Sequence, residues 1–315
     1  MVNMAVYFRP AIKSEAKPLI GLYSESGCGK SYGSLLLAKG FATDMSKVGM
    51  IETESGRGEI FADDPLVGGY QVLPIRDNFS PRDYGEAIAE AGKSGIEVLI
   101  IDSASHEWEG AGGVLSMAAQ NQVDGKKGPL VWQIPKLEHQ REFMLRLLTT
   151  PVPLVIVCMR AKYPMKEVIR NGKKDWTRSE ILEPKQSEDI LFEMTVHAWI
   201  DQDHKLHVTK CSKDDLRSVF IDGQPISVET GIRLKEWSCG TVSKSVEVAK
   251  NVDVDCISNE DAIGLRELCE SAKADIPVFL KYYGVECFEK FPKNKLNQAV
   301  KMLDKKMQKR SNTEK

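Results

Sequence analysis

Ser24-Glu25-Ser26-Gly27-Cys28-Gly29-Lys30-Ser31 stands between the apolar run Leu19-Ile20-Gly21-Leu22-Tyr23 and a helix-forming stretch that opens at Tyr32. A strand ending in a glycine-rich turn that starts a helix aims several backbone N–H groups at one spot, where the helix dipole adds partial positive charge. The chemistry this pattern serves is polyphosphate binding, with ATP and Mg²⁺ as the expected ligands. Ser26, Gly27, Cys28, Gly29, Lys30, Ser31 and Tyr32 are the expected nucleotide contacts. Lys30 reaches for the β- and γ-phosphates and Ser31 for Mg²⁺, while Gly27 and Gly29 let the backbone approach where a Cβ would clash. Ser24 stands where the motif has its first glycine.

A second carboxylate-bearing element complements the loop. Glu97-Val98-Leu99-Ile100-Ile101-Asp102 follows the turn-forming Lys93-Ser94-Gly95 and reads as a buried parallel strand. Asp102 then lies at its carboxyl end, where an acid can hold the magnesium with Ser31. Between these segments, Val48-Gly49-Met50-Ile51 runs into Glu52-Thr53-Glu54. Hydrolysis needs a carboxylate within one water of the γ-phosphate. Glu54, Glu52 and Glu107 are the available candidates.

Strands expected near 18–23, 47–52, 70–75, 97–102 and 152–159 alternate with helices near 30–43, 81–94, 111–121 and 134–149, the pattern of a mostly parallel α/β sheet covered on both faces. The phosphate loop, the strand ending Glu52-Thr53-Glu54 and the strand ending Asp102-Ser103, in this order, resemble the RecA-like P-loop ATPases, including the recombination and strand-annealing ATPases of bacteriophages. The resemblance covers roughly residues 17–222. It implies that Glu54 activates water with Glu52 as fallback, that Lys30 and Asp102 complete the catalytic set, and that a polar residue ending the strand Pro153–Met159 senses the γ-phosphate. Cys158 takes the approximate place of the family's glutamine, so Arg160 or Lys162 is the expected sensor. It also implies a homo-oligomer, ring or filament, because such sites lie at subunit boundaries.

The family's DNA-binding loop falls at the next segment, an insertion at about 163–180. Asn171-Gly172 between two extended runs is a strong hairpin signal. From Arg160 to Lys185 eight Lys and Arg stand against four acids, with Tyr163 and Trp176 among them. A basic ribbon carrying aromatics can pair with phosphates and stack bases. Lys166, Arg170, Lys173, Lys174, Trp176 and Arg178 are therefore the expected contacts to single-stranded DNA.

The 315 residues carry a formal charge of −2, so no global field attracts a polyanion and binding must be local. Seven cysteines without framework spacing fit a reducing cytosol. No apolar run approaches the roughly 18 residues of a membrane helix, and Met1-Val2-Asn3-Met4-Ala5 has no signal-peptide pattern. The expected location is the cytoplasm, that of the host for a phage-encoded chain. His197, His204, His207 and Cys211 lie close in sequence, yet strand alternation throws neighbours to opposite faces, so no metal site is expected there.

The expected domains are a core over 1–237, a linker over 238–256 and a small helical domain over 257–315. Ser258 followed by Asp261 is a helix start signal. Leu265, Leu268 and Cys269 mark one helical face, and Ile276, Phe279, Leu280 and Tyr283 a second. Residues 274–306 resemble the helical tail of several phage recombination and annealing proteins, which makes this domain the expected dock for a single-strand-binding protein. The expected activity is a DNA-stimulated ATPase in recombination or annealing. The alternative is a nucleotide-switched replication or loader accessory with slow turnover.

Overall fold

The computed structural model describes residues 17–170, 173–240 and 257–303, apart from 273, 284, 286, 289, 290, 292, 294, 297, 298 and 301. Asn171 and Gly172 of the expected turn, and the expected linker from 241 to 256, lie outside the described residues. The chain divides into two compact units, Met1–Ser243 and Lys244–Lys315.

The first unit runs β1 (Leu19–Ser24), α1 (Lys30–Phe41), β2 (Val48–Glu52), β3 (Gln71–Pro74), α2 (Pro81–Lys93), β4 (Val98–Asp102), α3 (Ser105–Glu109), α4 (Val114–Val123), α5 (Leu130–Glu138), α6 (Leu145–Thr149) and β5 (Leu154–Lys162). It continues through β6 (Met165–Arg170), β7 (Lys173–Arg178), β8 (Glu183–Pro184), α7 (Glu188–Glu193), β9 (Val196–Ile200), β10 (Leu206–Cys211) and α8 (Val228–Ser238). The sheet order is β10-β9-β1-β5-β4-β2-β3, with β8 against β5. All neighbours along the main path are parallel except β9 and β10. This is an α/β unit with a mostly parallel central sheet.

β1, β2 and β4 are buried along their whole length, as strands covered on both faces must be. Alternate residues feed two cores. Ile20, Leu22, Val98, Ile100, Leu154 and Ile156 face the layer that holds α1 and α8. Tyr23, Leu99, Ile101, Val155 and Val157 face the layer that holds α2 and α6. A Cβ added to Gly40 would lie 2.0 Å from the Val228 carbonyl oxygen, and one on Gly231 2.1 Å from that of Leu37. Glycine on both helices is what lets α1 and α8 approach this closely.

Two helices differ from expectation. The one placed near 111–121 is α4, which starts at Val114 after a segment that includes Gly110, Gly112 and Gly113, with Gly112 at φ +74°; the short helix α3 before that segment was not expected. The one placed near 134–149 begins at Leu130 and holds Pro135 inside it. Proline normally belongs to a first turn because it lacks an N–H, so the sequence reads as a later start. His139–Met144 forms a π-helical turn that joins α5 to α6.

In the second unit α9 (Asn259–Ser271) starts at Ser258, whose hydroxyl accepts the Asp261 N–H at 3.1 Å. Leu265 and Cys269 of α9 and Phe279 and Tyr283 of α10 (Ile276–Tyr283) are buried together with Phe288 and Phe291. Among the described residues no helix is long and apolar enough to cross a membrane.

Candidate functional site

β1 stops at Ser24 and α1 starts at Lys30, leaving a short loop at the carboxyl edge of the sheet. Gly27 and Gly29 both sit at φ +86°, the left-handed region that disfavours a side chain. The Gly29 carbonyl accepts the Gly33 N–H at 2.8 Å, closing the first helical turn. Lys30 folds back over the loop, its Nζ donating to Ser24 Oγ at 3.0 Å and to the Glu25 carbonyl at 3.1 Å. Ser24, the departure from the motif, thus supplies a buried hydroxyl acceptor to the lysine. Ser26 is exposed, Cys28 is buried in the core, and the Tyr32 ring packs on Phe61 at 5.2 Å between centroids.

Ser31 Oγ donates to Asp102 Oδ2 at 2.5 Å, joining residues 71 positions apart. β5 separates β1 from β4, and the shared register brings both strand ends level, with Ser24 opposite Arg160 and Asp102 opposite Cys158. Asp102 is 4 % exposed. Burial pushes its carboxyl above the ordinary range, the Ser31 hydrogen bond and the Lys30 charge work against that, and nearby Glu54 and Glu52 push it further up. A buried carboxylate with one hydroxyl donor and two acidic neighbours is a site that a hard, oxygen-seeking divalent cation would stabilise. On that ground the donor set fits Mg²⁺.

The two acids at the end of β2 part company. Glu52, paired with Asp102 in the ladder, is fully buried. Its carboxylate accepts the N–H groups of Glu54 at 2.6 Å and Gly56 at 3.1 Å and forms an ion pair with Arg76. That carboxylate shapes its own loop, so the fallback role for Glu52 does not fit the structure. Glu54 faces the site and accepts a hydrogen bond from Arg160 Nε at 2.8 Å. The expected base and the expected sensor are therefore paired with each other.

Glu107 is turned the other way. Its Oε1 lies 2.9 Å from His139 Nδ1 and its Oε2 accepts from Gln186 Nε2 at 3.1 Å, while His139 Nε2 lies 3.0 Å from Ser187 Oγ. Both carboxylate oxygens serve an interior network, which removes Glu107 from competition with Glu54. Beneath the site, Thr53 Oγ1 accepts the Ser103 N–H at 2.9 Å and lies 2.7 Å from His106 Nδ1. Burial, then the Arg160 charge, hold the His106 imidazole below its ordinary pKa.

Sequence reasoning missed His204. It sits at φ +63° in the turn between β9 and β10, with Nδ1 3.0 Å from the Cys28 carbonyl oxygen of the glycine-rich loop. No local pattern announces a contact across 176 positions. The other members of the dismissed cluster take separate partners, His207 bonding Asp201 at 2.7 Å and His197 lying 2.6 Å from Thr209 Oγ1. Arg76 escaped notice for the same reason, since its partner Glu52 lies on a different strand.

β6 and β7 form an antiparallel ribbon whose ladder closes at Arg170 opposite Lys173. Cross-strand pairing places Met165, Ile169, Lys174, Trp176 and Arg178 on one face and Lys166 on the other. Trp176 is 60 % exposed. Several charges already have partners, Lys166 with Glu183 at 3.2 Å and Lys174 with Glu167 at 2.9 Å. Arg178 lies over the Tyr163 ring at 4.6 Å and reaches Glu25 of the glycine-rich loop at 3.8 Å. The base of the ribbon and the loop thereby touch. Comparison with protein-family models and with curated proteins returns no match for this chain.

Proposed function

We propose that the chain is a RecA-like P-loop ATPase that uses Mg²⁺, binds single-stranded DNA and acts in recombination or strand annealing as a homo-oligomer. One observation carries this reading: the Ser31 hydroxyl and the Asp102 carboxylate meet at 2.5 Å where the glycine-rich turn opens α1. Bound there, Mg²⁺ would offset the charge of the phosphates. Lys30, already over the loop, would bind the terminal phosphates, and the N–H groups at the start of α1 would hold the oxygens. Glu54 would orient a water and take its proton. A polyphosphate competes with Glu54 for the Arg160 guanidinium, which makes Arg160 a means of coupling occupancy to a free base. Contact of Arg178 with Glu25 gives the ribbon a route to the same loop.

The pairing of Glu54 with Arg160 also favours the second reading, a nucleotide-gated switch with slow turnover, because it occupies the base. Titration with a fluorescent ATP analogue and steady-state hydrolysis with and without single-stranded DNA separate the two. Saturable, Mg²⁺-dependent uptake is expected, lost in Lys30→Ala and in Asp102→Asn, with turnover that rises on adding DNA. Binding without stimulation selects the switch. No saturable uptake by folded protein overturns both.

A further inference from the structure

β9 runs parallel to β1, with Trp199 level with Tyr23, so the turn that leads from β9 into β10 comes up beside the glycine-rich loop that follows β1. Asp201 braces that turn. Its carbonyl oxygen accepts the His204 N–H at 3.1 Å, and its carboxylate accepts the Lys205 N–H at 2.8 Å and lies 2.7 Å from His207 Nε2. His204 itself is held at φ +63°. That conformation is unfavourable for a residue with a Cβ and persists where the surroundings impose it. Its effect is to deliver the imidazole to the loop.

A carbonyl oxygen can only accept, so His204 Nδ1, 3.0 Å from the Cys28 oxygen, carries the proton and donates. The Cys28–Gly29 peptide is planar and trans, hence its N–H points opposite to its C=O. Drawing the Cys28 oxygen toward His204 therefore turns the Gly29 N–H away from the histidine. Among the described residues that N–H has no hydrogen-bond partner. A Cβ on Gly29 would lie 2.9 Å from His204 Nδ1, so the approach requires glycine for a reason separate from its φ of +86°.

We propose that His204 is a positioning residue, which fixes the Cys28–Gly29 peptide so that the Gly29 N–H is offered to the polyphosphate. This rests on the nucleotide reading of the site. Asn and Gly both accept a left-handed backbone, and the Asn amide nitrogen lies three bonds from Cα as Nδ1 does. His204→Asn therefore keeps the donor and His204→Gly removes it. Two measurements on the full chain read the difference: hydrogen exchange of the loop amides without ligand, and titration with the fluorescent ATP analogue and Mg²⁺. His204→Gly is expected to speed loop exchange and to weaken analogue binding, each roughly tenfold, while His204→Asn stays within about threefold of the unaltered chain. Both variants should unfold at the temperature of the unaltered chain, since the bonds that Asp201 makes to the turn do not involve the His204 side chain. A glycine variant that matches the unaltered chain in either measurement overturns the proposal, and so does an asparagine variant as impaired as the glycine one. Should the unaltered chain take up no analogue, the nucleotide reading falls, and the exchange comparison alone decides whether His204 holds the peptide.

Discussion

Glu52 and Glu54 stand two positions apart at the end of one strand, yet the physics assigns them opposite work. Glu52 has no exposed surface and satisfies two backbone N–H groups and Arg76, so removing it leaves both N–H groups without their acceptor and takes an ion-pair partner from Arg76. Glu52→Ala should cost about 3 kcal/mol, read as a fall in Tm of roughly 10 °C for a unit of this size. Glu54 is bound to the half-exposed Arg160 guanidinium, and pairs of that kind contribute little. Glu54→Gln should move stability by less than about 1 kcal/mol, keep nucleotide binding and slow turnover by roughly 10²- to 10⁴-fold. Thermal unfolding and steady-state kinetics on both variants check this. An unchanged Tm in Glu52→Ala would show that the buried carboxylate is not the loop's anchor. The sequence makes the presence of acids here legible, because an apolar run ends at Glu52. Which acid turns inward was not, because Arg76 decides it from the far side of β3. Glu107 shows the same limit, its fate set by His139 and Gln186.

At the scale of elements, β1, β2, β4 and β5 could be placed within a few residues because each is a largely apolar run bounded by turn residues. Their order in the sheet is another matter, since β9 pairs with β1 from the far end of the unit and nothing local specifies it. The helices were less legible where a glycine-rich segment sets the start of one and an internal proline sits in another. The ribbon of β6 and β7 was readable from Asn171-Gly172, but its charge was not. A local excess of positive charge shrinks once Lys166 and Lys174 are each paired with an acid. Exposed Trp176 is then the larger expected contributor. Trp176→Ala should weaken single-stranded DNA binding by about 1–3 kcal/mol and leave its salt dependence unchanged. Replacing Lys173, Lys174 and Arg178 together should flatten the log–log slope by about 0.7 for each phosphate that is no longer neutralised. Anisotropy titrations over a range of salt read both numbers. A slope that ignores the triple substitution removes the ribbon from DNA binding.

Among the described residues the apolar side chains form three cores, two drawn from the first unit and one from the second. Among the described residues, the two that sandwich the sheet run from Leu19 to Trp237. The third, around Phe279, Tyr283, Phe288 and Phe291, begins at Ile257. A unit that buries its own core can fold alone, so a cut near Ser243 should leave two folding fragments. The candidate site lies wholly in the first of them, from Ser24 to Arg160 with His204 behind the loop. The 1–243 fragment should therefore bind Mg²⁺ and the ATP analogue with the affinity of the full chain and unfold in one cooperative step. The 244–315 fragment should show helical circular dichroism but unfold at lower denaturant, because a small unit buries a smaller share of its surface. Calorimetry of the intact chain should resolve two transitions that match those of the fragments. If 1–243 fails to fold, the first unit draws stability from the second. If it folds but loses the nucleotide, the second unit supplies part of the site.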